Sequence, residues 1–334
     1  MQYKILTSGG LGVGGRQNEL IELALTHKYD GVEIDMNDLV GRHDTLGKEF
    51  ACQFLQSARI DLGTFDLPID FGAAEADYAK QCERLDTIID LAQTLGTHQA
   101  VIRIAPQSKE LAFQENFEKH SSRISEVADK FKAAEMRLGL FLQASKVGKT
   151  AGDFKFIQTA EEISTLAKTI GHSNVGLCID AHEWCVGDGA LDQLSGLDLN
   201  QAVTEVRFAD LAATADKANL NSKDLLLPGD GEDSFSVKLA NLLIEKGYQG
   251  PIAVATNIAS YSDGNRHRTV EKLSFRLAQL AAGEDPTASA AGEVADEAAE
   301  EGAEGAEGTD EAKTEVADAT AAKADDAAPA ASAT

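Results

Sequence analysis

The stretch VGLCIDAHEWCVGDG, Val175 to Gly189, decides how the rest of the chain is read. Val175, Gly176, Leu177, Cys178 and Ile179 have no polar face, the pattern of a parallel strand covered on both sides. Asp180, His182, Glu183 and Trp184 follow where such a strand ends. In sheets of parallel strands, ligands gather outside the carboxyl ends. This junction is therefore the first place to look for chemistry.

The same alternation extends outward in both directions. Upstream strand candidates are Tyr3 to Leu6, Gly31 to Ile34, Ile60 to Phe65, Ala100 to Ile104 and Arg137 to Leu142; downstream lie Val203 to Phe208 and Ile252 to Ala255. Helical spacing falls between them, at Asn18 to Thr26, Gly47 to Ala58, Ala73 to Leu95, Glu110 to Ala134, Ala160 to Ile170, Ala190 to Leu197 and Ser234 to Lys246, and a last helix ends at Ala282. Eight strand–helix pairs over residues 1–282 predict an α/β chain folded as one (β/α)8 TIM barrel.

Composition sets the remainder apart. The chain has 334 residues and is 43% hydrophobic, yet residues 283–334 contain no Ile, Leu, Met or aromatic residue. Fifteen acids against two lysines give this segment −13 of the total −25. It cannot bury enough apolar surface to offset its ordering entropy, which predicts a disordered, low-complexity acidic Ala/Glu-rich tail. Such a tail is either a solvated extension or an arm for a basic protein partner. The barrel is itself acidic, so nucleic acid and anionic membranes are not expected partners. No secretory signal pattern and no apolar run of membrane-spanning length are present. Cys52, Cys82, Cys178 and Cys185 form no CxxC pair and read as reduced thiols of a cytoplasmic protein; Cys185 could alternatively be reactive.

Gly10, Gly12 and Gly15 fit G-x-G-x-x-G, with Glu33 and Asp35 about twenty residues on. Thr7 and Ser8 separate the strand from the first of these glycines, so an NAD-dependent oxidoreductase is kept only as an outlying alternative, and no cofactor is expected.

Several segments resemble the xylose isomerase-like sugar phosphate isomerase/epimerase family. They are GVEIDM from Gly31, FDLPIDF from Phe65, ENFEKHSSRI from Glu115, RLGLFL from Arg137, FKFIQT from Phe154, VGLCID from Val175, VRFAD from Val206, LLPGDGEDSF from Leu226 and EKGYQGPIAV from Glu245. The resemblance spans the barrel in order and stops at the tail. It implies a mouth that holds a divalent cation, commonly Mn²⁺, on acidic residues ending strands five and eight, an Asp after strand six and a His on strand seven. A hard cation there would polarise a ketose carbonyl while carboxylates move protons.

Three of those four positions differ here. Phe141 stands where the fifth-strand glutamate is expected, Arg207 where the histidine is expected, and Ala255 where the eighth-strand glutamate is expected. Asp180 remains as a remnant ligand, with Glu183 in place of a histidine and His182 one position early. Leu225 replaces an arginine that often precedes LPG. Phe and Ala offer no donor atom, and arginine repels a cation. Gln143 or Glu183 would have to take a ligand role for the metal to persist; otherwise the resemblance implies a degraded metal site.

Glu33, Arg103, Asp180, His182, Arg207 and Asp210 are expected to line the mouth and to hold a small carbohydrate-like or anionic ligand. Each has a plainer reading beside it. Arg207 could pair internally with Asp180 or Asp210, His182 could be a surface residue, Trp184 could pack rather than stack on a sugar, and Glu33 could cap a loop. Two functions follow: a divergent isomerase/epimerase homologue that works without the four-ligand metal, or a non-catalytic interaction protein using barrel and tail.

Overall fold

A computed structural model describes residues 3–7, 13, 15–146, 152–221, 224–255 and 265–287. Gly10, Gly12 and the tail beyond 287 lie outside the described residues. Eight parallel strands form the barrel: β1 Tyr3–Leu6, β2 Gly31–Val32, β3 in two pieces (Asp61–Leu62 and Phe65–Asp66), β4 Gln99–Ile104, β5 Arg137–Leu142, β6 Val175–Asp180, β7 Val203–Phe208 and β8 Pro251–Val254. The two pieces of β3 close the ring. Asp61–Leu62 pairs with β2, whereas Phe65–Asp66 pairs with β4. Across the gap the Gly63 N–H donates to Val32 (2.9 Å) and the Leu67 N–H to Val101 (2.9 Å), so the chain changes neighbours without leaving the sheet.

Register decides what faces the barrel axis, because paired residues of adjacent parallel strands point the same way. Arg103 pairs with Phe141, Phe141 with Cys178, and Cys178 with Glu205. Those four side chains form an inner layer. Two residues further along, Asp180 pairs with Arg207. Below the layer Gly139 has no room for a Cβ, which would run into the Thr204 hydroxyl that fills the floor. The apolar outer faces of the strands and the inner faces of the helices make the main core, while Val101, Phe141 and Cys178 form a separate buried group inside the ring.

The helices depart from the sequence reading in three places. An unexpected helix, Met36–Leu46, follows β2; Asp35 caps it by accepting the Asp38 N–H (3.1 Å), so this acid terminates a loop rather than waiting for a ribose. Only Met36, Leu39 and Val40 of that helix are buried, too sparse a stripe to read from sequence. The predicted helix from Ala73 to Leu95 is two, Glu75–Cys82 and Leu85–Thr94. Tyr78 is the one buried residue of the first and Leu85, Ile88, Ile89, Leu91 and Ala92 belong to the second, so no apolar stripe holds the pair as one rod. After β6 the helix is Ala181–Val186, with Asp180 as its cap, and the expected Ala190 to Leu197 helix shrinks to Asp192–Ser195. No helix among the described residues is long and apolar enough to cross a membrane.

Candidate binding site at the barrel mouth

Arg207 points into the barrel from β7 and is 1% exposed. A guanidinium so placed needs carboxylates, since an unpaired buried charge is costly. It donates from Nε to Glu205 Oε1 (2.7 Å) and from Nη2 to Glu33 Oε1 (3.2 Å). The partners are therefore Glu205 and Glu33, not Asp180 or Asp210 as the sequence reading offered. Glu205 is fully buried and also accepts from the Thr64 hydroxyl at 2.5 Å. Burial pushes the Arg207 pKa down, but Glu205, Cys178 and Glu33 together hold it well above the usual arginine value. Burial raises the Glu33 carboxyl, and Arg207 pulls it part of the way back.

Phe141 lies beside this pair as a flat wall. The Arg207 guanidinium is 5.5 Å from its ring centre and that of Arg103 is 4.4 Å away, so two cations share one aromatic face region. Arg103 is more open. Its Nε donates to Asp66 Oδ2 (2.7 Å), and its two Nη groups have no hydrogen-bond partner among the described residues. In front of it opens a cleft of about 640 Å³ lined by Gln17, Glu33, Asp35, Asp66 and Arg103 among others. Gln17 fixes that edge, donating to the Glu33 carbonyl (3.0 Å) and accepting from the Asp35 N–H (2.9 Å).

The remaining expected site residues do not line that cleft. Asp180 accepts the Glu183 N–H (3.1 Å) and is 7% exposed; burial raises its pKa, opposed chiefly by His182. His182 is partly buried on the short helix with Nδ1 3.9 Å from Glu183 Oε1, not a surface histidine. Asp210 is not among the residues lining that cleft. Its two oxygens accept from the Gly229 (2.8 Å), Gly231 (3.4 Å) and Ser236 (2.9 Å) amides and the Ser234 hydroxyl (2.6 Å), which knots the LPGDGEDS segment together. Trp184 is buried with its Nε1 donating to Ala190 (3.4 Å), a packing role. Burial pushes the Cys185 thiol up to about 12, which leaves it a poor nucleophile.

Glu183 holds the segment after β5: Oε1 accepts the Ser145 hydroxyl (2.5 Å) and Oε2 the Ser145 N–H (2.7 Å). Burial first, and Asp180 second, lift its carboxyl from 4.5 to about 7. A raised acid favours the folded state fully below 4.5 and loses that advantage as pH climbs to about 7. Glu183→Gln is expected to remove this slope. Urea midpoints of the two proteins should diverge between pH 4.5 and 7 in favour of the variant and run parallel above; parallel curves throughout would contradict the assignment.

Residues 21–277 match the family model described as xylose isomerase-like TIM barrel. The chain belongs to this family. A xylose isomerase domain protein from Alicyclobacillus acidocaldarius is similar in structure, with a TM-score of 0.73 and 21% identity over 85% of this chain and 99% of that one. The IolI protein, solved with a bound zinc atom, gives 0.68 and 15% over 84% and 98%. D-psicose 3-epimerase from Clostridium cellulolyticum H10, solved with D-tagatose, gives 0.60 and 14% over 84% and 98%. No curated protein matches in sequence. At these identities the neighbours establish the fold. Of these neighbours, IolI holds a zinc atom. Among the described residues the donor set does not fit a divalent metal: Phe141 and Arg207 occupy the inner face, Asp180 caps a helix, and no three His, Cys, Asp or Glu side chains converge as a ligand set.

Proposed function

We propose that this family member binds a small carbohydrate-like molecule in the cleft at its mouth and does so without the divalent metal suggested by the resemblance. The observation that carries the reading is Arg207, whose guanidinium, clamped by Glu205 and Glu33, supplies positive charge from the chain itself. Carboxylates of Glu33, Asp35 and Asp66 beside the free fork of Arg103 give the mixed donors and acceptors that polyols require. The epimerase neighbour solved with D-tagatose supports the same ligand class.

The test pairs elemental analysis with a ligand screen. After incubation with Mn²⁺ or Zn²⁺ and desalting, the protein is expected to retain substoichiometric metal, while ketoses and sugar acids raise its melting temperature and Arg103→Met abolishes that rise. Stoichiometric Mn²⁺ in the desalted protein would falsify the metal-free reading. A second reading, retained proton-transfer catalysis, is favoured by one observation, two buried carboxyls side by side at the end of β6, Asp180 accepting the Glu183 N–H and burial raising both. Its test is an epimerisation assay in deuterated water, with solvent deuterium appearing in the sugar only if that reading holds.

A further inference from the structure

A second cleft, about 530 Å³, lies between the segment at 70–77 and the long helix Phe113–Ala133. Arg103 lines both clefts, standing as the shared wall between them. Each alone falls within the 300–1,000 Å³ range of ordinary small-ligand pockets.

The second cleft has built polar groups that the fold does not use. Asn116 and His120 stand one turn apart on the same face of the helix and line the cleft, 3% and 4% exposed. The Asn116 carboxamide lines the cleft and makes no hydrogen bond among the described residues. His120 Nδ1 contacts the Asn116 carbonyl at 2.8 Å. A carbonyl only accepts, so Nδ1 carries the proton. Burial pushes the ring's pKa down to about 4, so it is neutral near pH 7 and Nε2 is left as an acceptor. No protein donor among the described residues reaches that nitrogen. Gly72 lies beside it, where a Cβ would stand 3.9 Å from Nε2. The rim is held rigid from behind: Arg123 Nη1 donates to the carbonyls of Phe71 (2.9 Å) and Ala73 (2.7 Å), and Lys119 to that of Gly72 (3.0 Å).

From this arrangement we infer that the ligand is longer than one sugar ring: a two-unit glycoside, with one unit in the mouth cleft, the junction against the Arg103 fork, and the second unit's hydroxyls on Asn116 and His120. The inference rests on the carbohydrate reading of the mouth. An acceptor nitrogen and a carboxamide that both donates and accepts suit hydroxyls, which do both.

Isothermal titration with D-glucose and D-fructose, against maltose, cellobiose and sucrose, tests it on the full chain. At least one disaccharide is expected to bind about tenfold more tightly than either monosaccharide, the gain of two hydrogen bonds. The near-isosteric His120→Phe and Asn116→Leu should return it to the monosaccharide level and leave monosaccharide binding unchanged, while His120→Gln, which keeps an acceptor, restores part of the gain. Independently, the His120 Nε2 ¹⁵N resonance should shift with the disaccharide and not with a monosaccharide. Equal affinity for one and two units, with variants neutral and the resonance fixed, overturns the second subsite and leaves the mouth reading standing. No binding of any sugar overturns both.

Discussion

Replacing Arg207 with methionine is expected to destabilise the barrel by about 3–5 kcal/mol in urea unfolding, the scale for breaking a buried pair from one side. The reason is what stays behind. Glu205 is fully buried and reaches only the Thr64 hydroxyl once the guanidinium is gone, and Glu33 is left near it with its own charge. The loss should deepen as pH rises, because the stranded Glu33 carboxyl, which burial raises, can protonate at low pH and cannot at high pH. Arg207→Met combined with Glu205→Leu is expected to recover most of the stability, since a buried pair replaced by apolar side chains of similar volume is often neutral. A loss below about 1 kcal/mol in the single variant, the range of an exposed pair, would show that the ion pair is solvated rather than central.

Asp210→Ala carries the second large effect. Its carboxylate is buried and satisfies three amides and a hydroxyl, so alanine strands the amides of Gly229 and Ser236 at the start of the helix Phe235–Glu245. Each orphaned buried group costs about 1–3 kcal/mol. The expected total is about 3 kcal/mol or more, read from urea unfolding, with hydrogen exchange at Gly229 and Ser236 accelerated. Asp210→Asn keeps one acceptor oxygen and should lose about half as much. Unchanged exchange at both amides would mean that the turn holds itself.

Much of the architecture is legible in the chain because parallel barrel strands announce themselves as short apolar runs. VGLCID became β6 with every residue buried, and the junction at Asp180 is at the carboxyl end of a strand as its sequence implies. Arg207 as an internal ion-pair member was readable; its partners were not. The signal for Glu205 was present in VTEVRF, where Glu205 and Arg207 are two apart and therefore share a face. A strand buried on both sides hides which face is the axis, so opposite charges at that spacing were the one clue to an interior pair. The partners of Asp210 were hidden for a different reason: a loop acid shows what it holds only once the amides that surround it are known. Asn116 and His120 escaped because helical spacing in ENFEKH reports which residues share a face and nothing about the cleft above them.

The ion pair at the mouth also changes how this barrel depends on its surroundings. A barrel that binds a free metal gains stability in proportion to the logarithm of metal concentration, and a chelator can take that gain away. Arg207 is joined to Glu205 through one intervening residue of the same strand and meets Glu33 across the sheet. Its local concentration is fixed by the covalent chain. On the metal-free reading proposed above, such a cation can be neither diluted nor competed for, and the centre of the protein would not depend on the supply of any metal.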